Sequence, residues 1–101
     1  MAKLALIATV EVARGHEEDV LSLLMAHRAR CLQDEPGTLQ FEVLASREDD
    51  AKVLTYEVYR DAAAFELHRS GPSIARWRKE TEGIIVRLQV VQCALVEPRS
   101  K

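Results

Sequence analysis

The chain has 101 residues, enough for a single domain with one hydrophobic core. Hydrophobic residues make up 48% and charged residues 30%, a composition that excludes a disordered or low-complexity segment. Fourteen basic and sixteen acidic residues give a formal net charge of −2, and the chain has no basic stripe, which argues against a nucleic-acid partner.

The cysteines and the N-terminus bear on the cellular compartment. Cys31 and Cys93 lie far apart and form no CxxC or Cys/His pattern, which argues against both a zinc site built on cysteine pairs and a disulfide framework. Their places inside periodic apolar segments predict core thiols in a reducing environment. The N-terminus has no signal-peptide pattern, and no stretch approaches the roughly 20 apolar residues that span a bilayer. We therefore expect a cytoplasmic protein without a membrane partner.

The first third of the chain predicts a strand followed by a helix. Apolar residues recur at every second position from Leu4 to Val12, which is the period of a β-strand. An acidic first turn, Glu17 to Asp19, favours a helix that runs to about Gln33. The apolar stripe of this helix consists of Val20, Leu24, His27 and Cys31. Glu35-Pro36-Gly37 ends the helix.

The middle of the chain predicts a hairpin and a second, interrupted helix. Thr38 to Ala45 alternates again, and Lys52 to Tyr59 is rich in β-branched and aromatic residues; a short charged turn joins these two predicted strands of a hairpin. Asp61 can cap a helix that extends through His68. Gly71-Pro72 interrupts this helix, and the proline suits the first position of a continuation.

The last strand completes a β-α-β-β-α-β order. Ile84 to Val96 predicts a long strand, and residues 97–101 a frayed tail behind a domain of residues 1–96. This order predicts an α+β, ferredoxin-like fold, with two helices on one face of a four-stranded antiparallel sheet. The strands carry apolar residues on both faces; for example, Leu54 and Val58 lie on one face of their strand and Val53 on the other. In an antiparallel sheet with one face in water, apolar and polar residues alternate more regularly than they do here. A second copy of the chain can cover the other face, so we expect a homodimer through the sheet faces.

Several motifs follow one another along almost the whole chain. They are Glu35-Pro36-Gly37-Thr38-Leu39-Gln40-Phe41-Glu42-Val43, Tyr56-Glu57-Val58-Tyr59-Arg60-Asp61, Ala64-Phe65 and His68-Arg69-Ser70. In this order and spacing they resemble the antibiotic biosynthesis monooxygenase family. The resemblance implies a dimeric α+β barrel with a pocket between the helices and sheet of each protomer. It also implies oxidation of quinols or anthrone-like polyketides without flavin or metal, although heme-degrading enzymes and sugar isomerases share the scaffold.

Two departures from the family pattern change what the resemblance implies about acid/base residues and heme. Many members carry a second histidine directly after the proline, whereas Ser73 follows Pro72 here, so one candidate acid/base is missing. The heme-degrading branch uses an Asn, a Trp and a His at places held here by Ala8, His68 and Arg78. We therefore expect no heme and no other cofactor.

The resemblance and the spacing single out His68 as the candidate base. It lies one helical turn after Phe65 on the face that looks toward the sheet, and an imidazole there can take a proton from a phenolic or enolic substrate. A structural role, capping the helix end or bonding a core carbonyl, stays open. Tyr59 and Phe65 are candidate walls for a small aromatic or quinol-like ligand.

Three further residues are candidates for the binding site, each with a structural alternative. Trp77 can flank a flat ligand or simply fill the core, and His27 lies on the apolar stripe of the first helix, where a satisfied core role is favoured. Glu57 needs a partner if it faces inward, and Arg28 is the candidate for a structural ion pair. The histidines show no HxH or HExxH spacing, so the sequence predicts no metal site.

The preferred function is therefore a cofactor-independent monooxygenase that oxidises a quinol or polyketide-like aromatic substrate with O₂, with His68 as base. A cofactor-free isomerase needs the same parts without the O₂ chemistry. A non-catalytic, ligand-binding dimer is the alternative from a different class.

Overall fold

Four strands and three helices make up the computed structural model of the chain, which describes residues 2–96 and 98. They are β1 (Leu4–Val12), α1 (Glu17–Asp34), β2 (Thr38–Ala45), β3 (Lys52–Tyr59), α2 (Ala62–Arg69), α3 (Pro72–Glu80) and β4 (Ile85–Ala94). The last strand is shorter at both ends than predicted. The tail expected over 97–101 lies outside the described residues, apart from Pro98. Within the described part, even the longest helix lacks the apolar length needed to cross a membrane.

The strands form one antiparallel sheet in the order β2-β3-β1-β4. The two strands nearest the chain ends, β1 and β4, therefore pair with each other, and the hairpin of β2 and β3 lies on the other side of β1. This is the ferredoxin-like α+β arrangement that the sequence predicts. The interrupted second helix is resolved as the separate helices α2 and α3, which meet at Gly71.

One face of the sheet, here called the inner face, carries the core beneath the helices. The stripe predicted for α1 is buried as expected, with Val20 and Cys31 fully enclosed. The larger core cluster consists of Val10, Val12, Val20, Leu24, Cys31, Phe41, Val53 and Trp77. The smaller cluster consists of Leu6, Tyr59, Ala64 and Phe65, so α2 packs over the ends of β1 and β3.

The helices leave β4 uncovered on the inner face. Val90 and Leu88 stand opposite Ala8 and Val10 of β1, so they share the inner face, yet they are 47% and 58% exposed. These exposed side chains border an opening that remains between β4 and the helix layer.

The opposite, outer face of the sheet is apolar at its centre. Ile7 stands between Tyr56 and Val91 on the neighbouring strands, and Leu44 stands opposite Leu54 on the hairpin. Ile7, Leu44 and Val91 are 40%, 48% and 56% exposed. An exposed apolar sheet face of this kind fits the homodimer expected from the sequence, which stays a prediction.

The turn between α1 and β2 approaches α2 very closely. The backbone N–H of Arg60 donates to the carbonyl of Gly37 at 2.8 Å, and Asp61 caps α2 by accepting from the N–H of Ala64 at 2.8 Å. A Cβ atom on Gly37 would lie 2.4 Å from the Cβ of Ala64. Gly37 is therefore required for space, and its lack of a side chain lets the turn that carries Glu35 reach α2.

We expect Gly37→Ala to lower the free energy of unfolding by about 1–3 kcal/mol, because overpacking a tight contact forces a backbone shift. The double variant Gly37→Ala/Ala64→Gly should recover part of that loss, since it removes the opposing methyl group. Urea unfolding of the four proteins in a double-mutant cycle measures the coupling. Equal losses from Gly37→Ala in both backgrounds would contradict the close approach.

Candidate active site

A cavity of about 380 Å³ opens between the inner face of the sheet and the helices α2 and α3. The apolar part of its sheet side consists of Leu6, Ala8, Val10, Leu88 and Val90, and the polar Gln92 of β4 also borders it. Phe65 and Trp77 form much of the helix side, and Arg69 and Arg78 also border the cavity. The polar groups that face it include His68, Glu57, Thr55 and His27, so an apolar space ends on a few buried polar atoms.

His68 is held in one orientation by a carboxylate that sequence reasoning missed. It lies in the last turn of α2 and is 4% exposed. Its Nδ1 lies 2.8 Å from Oε1 of Glu35, and the hydroxyl of Thr38 donates to the same oxygen at 2.8 Å. A carboxylate can only accept, so we assign the imidazole proton to Nδ1. Nε2 is then left with a free lone pair, as in carboxylate–histidine pairs of known enzymes.

Glu57 lies opposite the free nitrogen of His68. It projects from β3 onto the inner face and is 5% exposed. Its Oε2 accepts from Thr55 at 2.6 Å, and its Oε1 accepts a short hydrogen bond from the hydroxyl of Tyr59. The distance from Oε1 to Nε2 of His68 is 4.0 Å. The carboxylate is thus satisfied by neighbouring hydroxyl groups and leaves room beside Nε2 for a ligand atom.

The ion pair predicted between Arg28 and Glu57 is wrong. Nε of Arg28 donates to the carbonyl oxygen of Phe41 at 2.6 Å, and Nη2 lies 3.9 Å from Glu42 on the same strand. The arginine therefore binds to the edge strand β2, where both groups are partly exposed. Glu57 needs no arginine because two hydroxyl donors on its own strand supply its hydrogen bonds.

Tyr59 supports the site from behind. It is fully buried, and its ring packs against those of Phe65 and His68 at centroid distances of 5.2 Å each. Burial, with the added effect of the Glu57 carboxylate, raises the pKa of the Tyr59 hydroxyl. The group therefore stays a hydrogen-bond donor to Glu57. Of the two predicted walls, Phe65 borders the cavity, whereas Tyr59 lies one layer further in.

His27 and Trp77 close the far end of the cavity as a stacked pair. Their ring centroids are 5.7 Å apart with an interplanar angle of 24°, and Phe41 meets His27 edge to face. Burial lowers the pKa of His27 to about 4, with His68 and Arg30 adding to the effect. His27 is therefore neutral at physiological pH, and both predicted binding residues border the cavity.

Cys31 lies beneath the two histidines. Its Sγ is 3.6 Å from Nε2 of His27 and 3.7 Å from Nδ1 of His68. Burial raises the pKa of the thiol, and the carboxylates of Glu35 and Glu57 raise it further. The sequence identified Cys31 only as a core residue, and Glu35 only as part of a helix stop and of the first family motif. No spacing pattern links either of them to His68.

Solved structures of similar chains share this fold. A Pseudomonas aeruginosa protein is 29% identical, with a TM-score of 0.87 over 96% of this chain and 97% of that one. A Caulobacter crescentus protein named as a candidate antibiotic biosynthesis monooxygenase has a TM-score of 0.90 at 15% identity, over 95% and 92% of the two chains. One from Bacteroides thetaiotaomicron with the same description has a TM-score of 0.87 at 20% identity, over 99% and 95%. No curated protein matches the chain significantly.

The sequence profile of the antibiotic biosynthesis monooxygenase family matches residues 4–80. This stretch runs from β1 to the end of α3 and includes His68, Glu35 and Glu57. A match over most of the chain, with the same fold in the solved structures, confirms the resemblance found from the sequence motifs. The chain belongs to the antibiotic biosynthesis monooxygenase family.

Proposed function

We propose that the protein is a cofactor-independent monooxygenase that oxidises a quinol or polyketide-like aromatic substrate with O₂, and that His68 is its base. The observation that carries this proposal is the orientation of His68. Glu35 holds Nδ1 at 2.8 Å, which leaves the lone pair of Nε2 at the polar end of an apolar cavity of about 380 Å³. Family membership supports the monooxygenase class of reaction.

The first step is removal of a proton from the substrate. A phenolic or enolic O–H placed beside Nε2 of His68 donates its proton to that nitrogen, and the imidazolium that forms keeps its hydrogen bond to Glu35. Glu57, with its Oε1 4.0 Å from Nε2, adds a second carboxylate next to the new positive charge. Tyr59 acts through Glu57, because its hydroxyl fixes that carboxylate in place.

The second step is oxidation of the substrate anion by O₂. In an anthrone-type substrate a CH₂ group becomes a carbonyl, whereas in a quinol a ring C–H becomes C–OH and the two hydroxyl groups become the carbonyls of a hydroxyquinone. In both cases one oxygen atom of O₂ enters the substrate, and the other leaves as water with two hydrogens of the substrate, which supplies all four electrons. No external reductant is required, so the reaction balances without flavin or metal.

The cavity walls suit a flat aromatic ring. Phe65 and Trp77 on the helix side face the apolar sheet residues across the cavity, which gives a slot with two apolar walls. We propose that the ring lies in this slot, with Glu57 and His27 as its polar neighbours. Arg69 and Arg78 border the cavity as well, so a substrate with an acidic substituent would find positive charge nearby.

We further propose that the active form is a cytoplasmic homodimer in which the outer sheet faces pack together. The exposed apolar side chains of Ile7, Leu44 and Val91 support this assembly, since monomers rarely expose such faces. Charged residues at the border of the face, Glu11 opposite Lys52 and Arg87, form a polar rim. The free cysteines Cys31 and Cys93 fit a reducing compartment.

We expect His68→Ala to lower the turnover of a quinol by roughly a hundredfold or more, the range of a general base. The free energy of unfolding should change by no more than about 1–2 kcal/mol, because Glu35 keeps its hydrogen bond from Thr38 and the imidazole already adjoins a cavity. Oxygen uptake with a panel of hydroquinones and anthrones, together with urea unfolding, measures both quantities.

A large loss of stability with unchanged turnover per folded molecule would remove His68 from the mechanism. Turnover of an enolisable ketone or sugar without oxygen uptake would favour the isomerase. Binding of quinols without any turnover would favour the ligand-binding dimer.

We expect Glu35→Gln to lower turnover by about 10- to 100-fold, the usual cost of losing the partner that orients a functional histidine. The amide keeps the shape of the carboxylate but not its charge, and it can bond Nδ1 as donor or acceptor, so the tautomer is no longer fixed. Glu66→Gln is the matched control, since Glu66 lies exposed on α2 and pairs with Arg69. Equal turnover in both variants would contradict the orienting role.

We expect Leu54→Lys to dissociate the dimer, because it places a charge at the centre of the outer face. Sedimentation equilibrium at micromolar concentration should give twice 11.4 kDa for the wild type and close to 11.4 kDa for the variant. Leu67→Lys is the control, since Leu67 lies 70% exposed on α2, away from the sheet. A monomeric wild type, or a Leu54→Lys variant that stays dimeric and equally stable, would contradict the interface.

A further inference from the structure

Three potential metal ligands converge below the cavity. His27 and Cys31 lie one turn apart on α1, and α2 brings His68 against them from a position 37 residues after the cysteine. Their ligand atoms lie within 4.8 Å of one another, and all three residues are buried. The sequence predicted no metal site because His27 and Cys31 belong to no HxH, HExxH or CxxC motif and His68 lies 37 residues after the cysteine. Folding brings His68 next to His27 and Cys31 although it is distant from them in the sequence.

The distances fit a tetrahedral ion. Zinc bonds of about 2.3 Å to sulfur and about 2.0–2.1 Å to nitrogen place the two ligand atoms roughly 3.6 Å apart. Sγ of Cys31 lies 3.6 Å from Nε2 and 3.7 Å from Nδ1 of His27, and 3.7 Å from Nδ1 of His68. Because the sulfur is almost equally far from both His27 nitrogens, it lies over the face of that ring. To direct one nitrogen to the ion, the ring turns about its Cβ–Cγ bond, out of its stack on Trp77.

Charge and access also fit a divalent ion. Glu35, with Oε1 2.8 Å from Nδ1 of His68, can complete the coordination. A thiolate and a carboxylate together neutralise a divalent ion, which removes the cost of burying its charge. His27 and His68 border the cavity, so the ion can enter from there and reach Cys31 behind them.

We propose that His27, Cys31 and His68 bind a thiophilic divalent ion such as Zn²⁺, and that this ion inhibits the enzyme. The thiol loses its proton to solvent when the ion binds. The ion takes the place of the proton on Nδ1 of His68, and the neutral imidazole then carries its proton on Nε2. A protonated Nε2 cannot accept a proton from substrate. The inhibition rests on the proposed function, whereas the binding of the ion does not.

Cobalt(II) tests the site without reference to activity. Titration of the metal-free protein with Co²⁺ should give a thiolate-to-cobalt charge-transfer band in the near ultraviolet and the intense visible bands of a four-coordinate ion. Zn²⁺ should abolish both by displacement. In Cys31→Ala the charge-transfer band should be lost. The apparent affinity should fall by more than about a hundredfold, beyond the loss expected for a residue that only hydrogen-bonds a ligand.

Cys93→Ala is the matched control because it removes the only other thiol of the chain, on the outer face of the sheet. It should bind Co²⁺ like the wild type. Should Cys31→Ala fail to fold, Cys31→Ser replaces it, since a hydroxyl gives no thiolate band. Absence of the band in the wild type, or its loss in Cys93→Ala and not in the Cys31 variant, would overturn the site.

Activity distinguishes the two proposals. Saturating Zn²⁺ should lower quinol turnover of the wild type by about a hundredfold, the contribution of the base, and leave Cys31→Ala uninhibited. Zn²⁺ binding at Cys31 with full turnover would overturn the inhibition. A cobalt band from Cys31 in a protein without quinol turnover would retain the metal site and refute the proposed function.

Discussion

The close contact between Gly37 and Ala64 determines the geometry of the site. Because Gly37 has no side chain, the turn after α1 lies against the first turn of α2. In this contact the N–H of Arg60 donates to the carbonyl of Gly37 at 2.8 Å. Glu35, two residues before Gly37, thereby reaches His68 near the other end of α2. The orientation of the candidate base thus depends on a backbone approach that any larger side chain would prevent.

Behind the apolar cavity lies a small polar network. Thr55 and Tyr59 satisfy Glu57, and Glu35 satisfies His68, so polar groups on β3, on α2 and in the turn after α1 support each other. Such a network is costly when any member lacks a partner and rigid when each has one. Its rigidity suits a site that must present one lone pair, on Nε2 of His68, to a substrate.

The strand β4 connects the cavity to the outer face. Its residues Leu88 and Val90 lie on the inner face and border the cavity, whereas the neighbouring Val91 lies on the apolar outer face. Most residues of this strand are exposed, on both faces of the sheet. An assembly through the outer face would therefore order the strand that forms the open wall of the site.

The strands and helices and their order could be predicted from local patterns in the sequence. The period-two strands and the α1 stripe indicate which side of each element is buried, and turn residues such as Gly71-Pro72 mark where an element ends. Together with the family motifs, these patterns also pointed to His68. The partners of His68 could not be predicted in this way, because Glu35 and Cys31 lie 33 and 37 residues away from it, and the predicted contact of Arg28 with Glu57 does not form. Periodicity specifies a face, whereas contacts across elements depend on how closely the backbones approach.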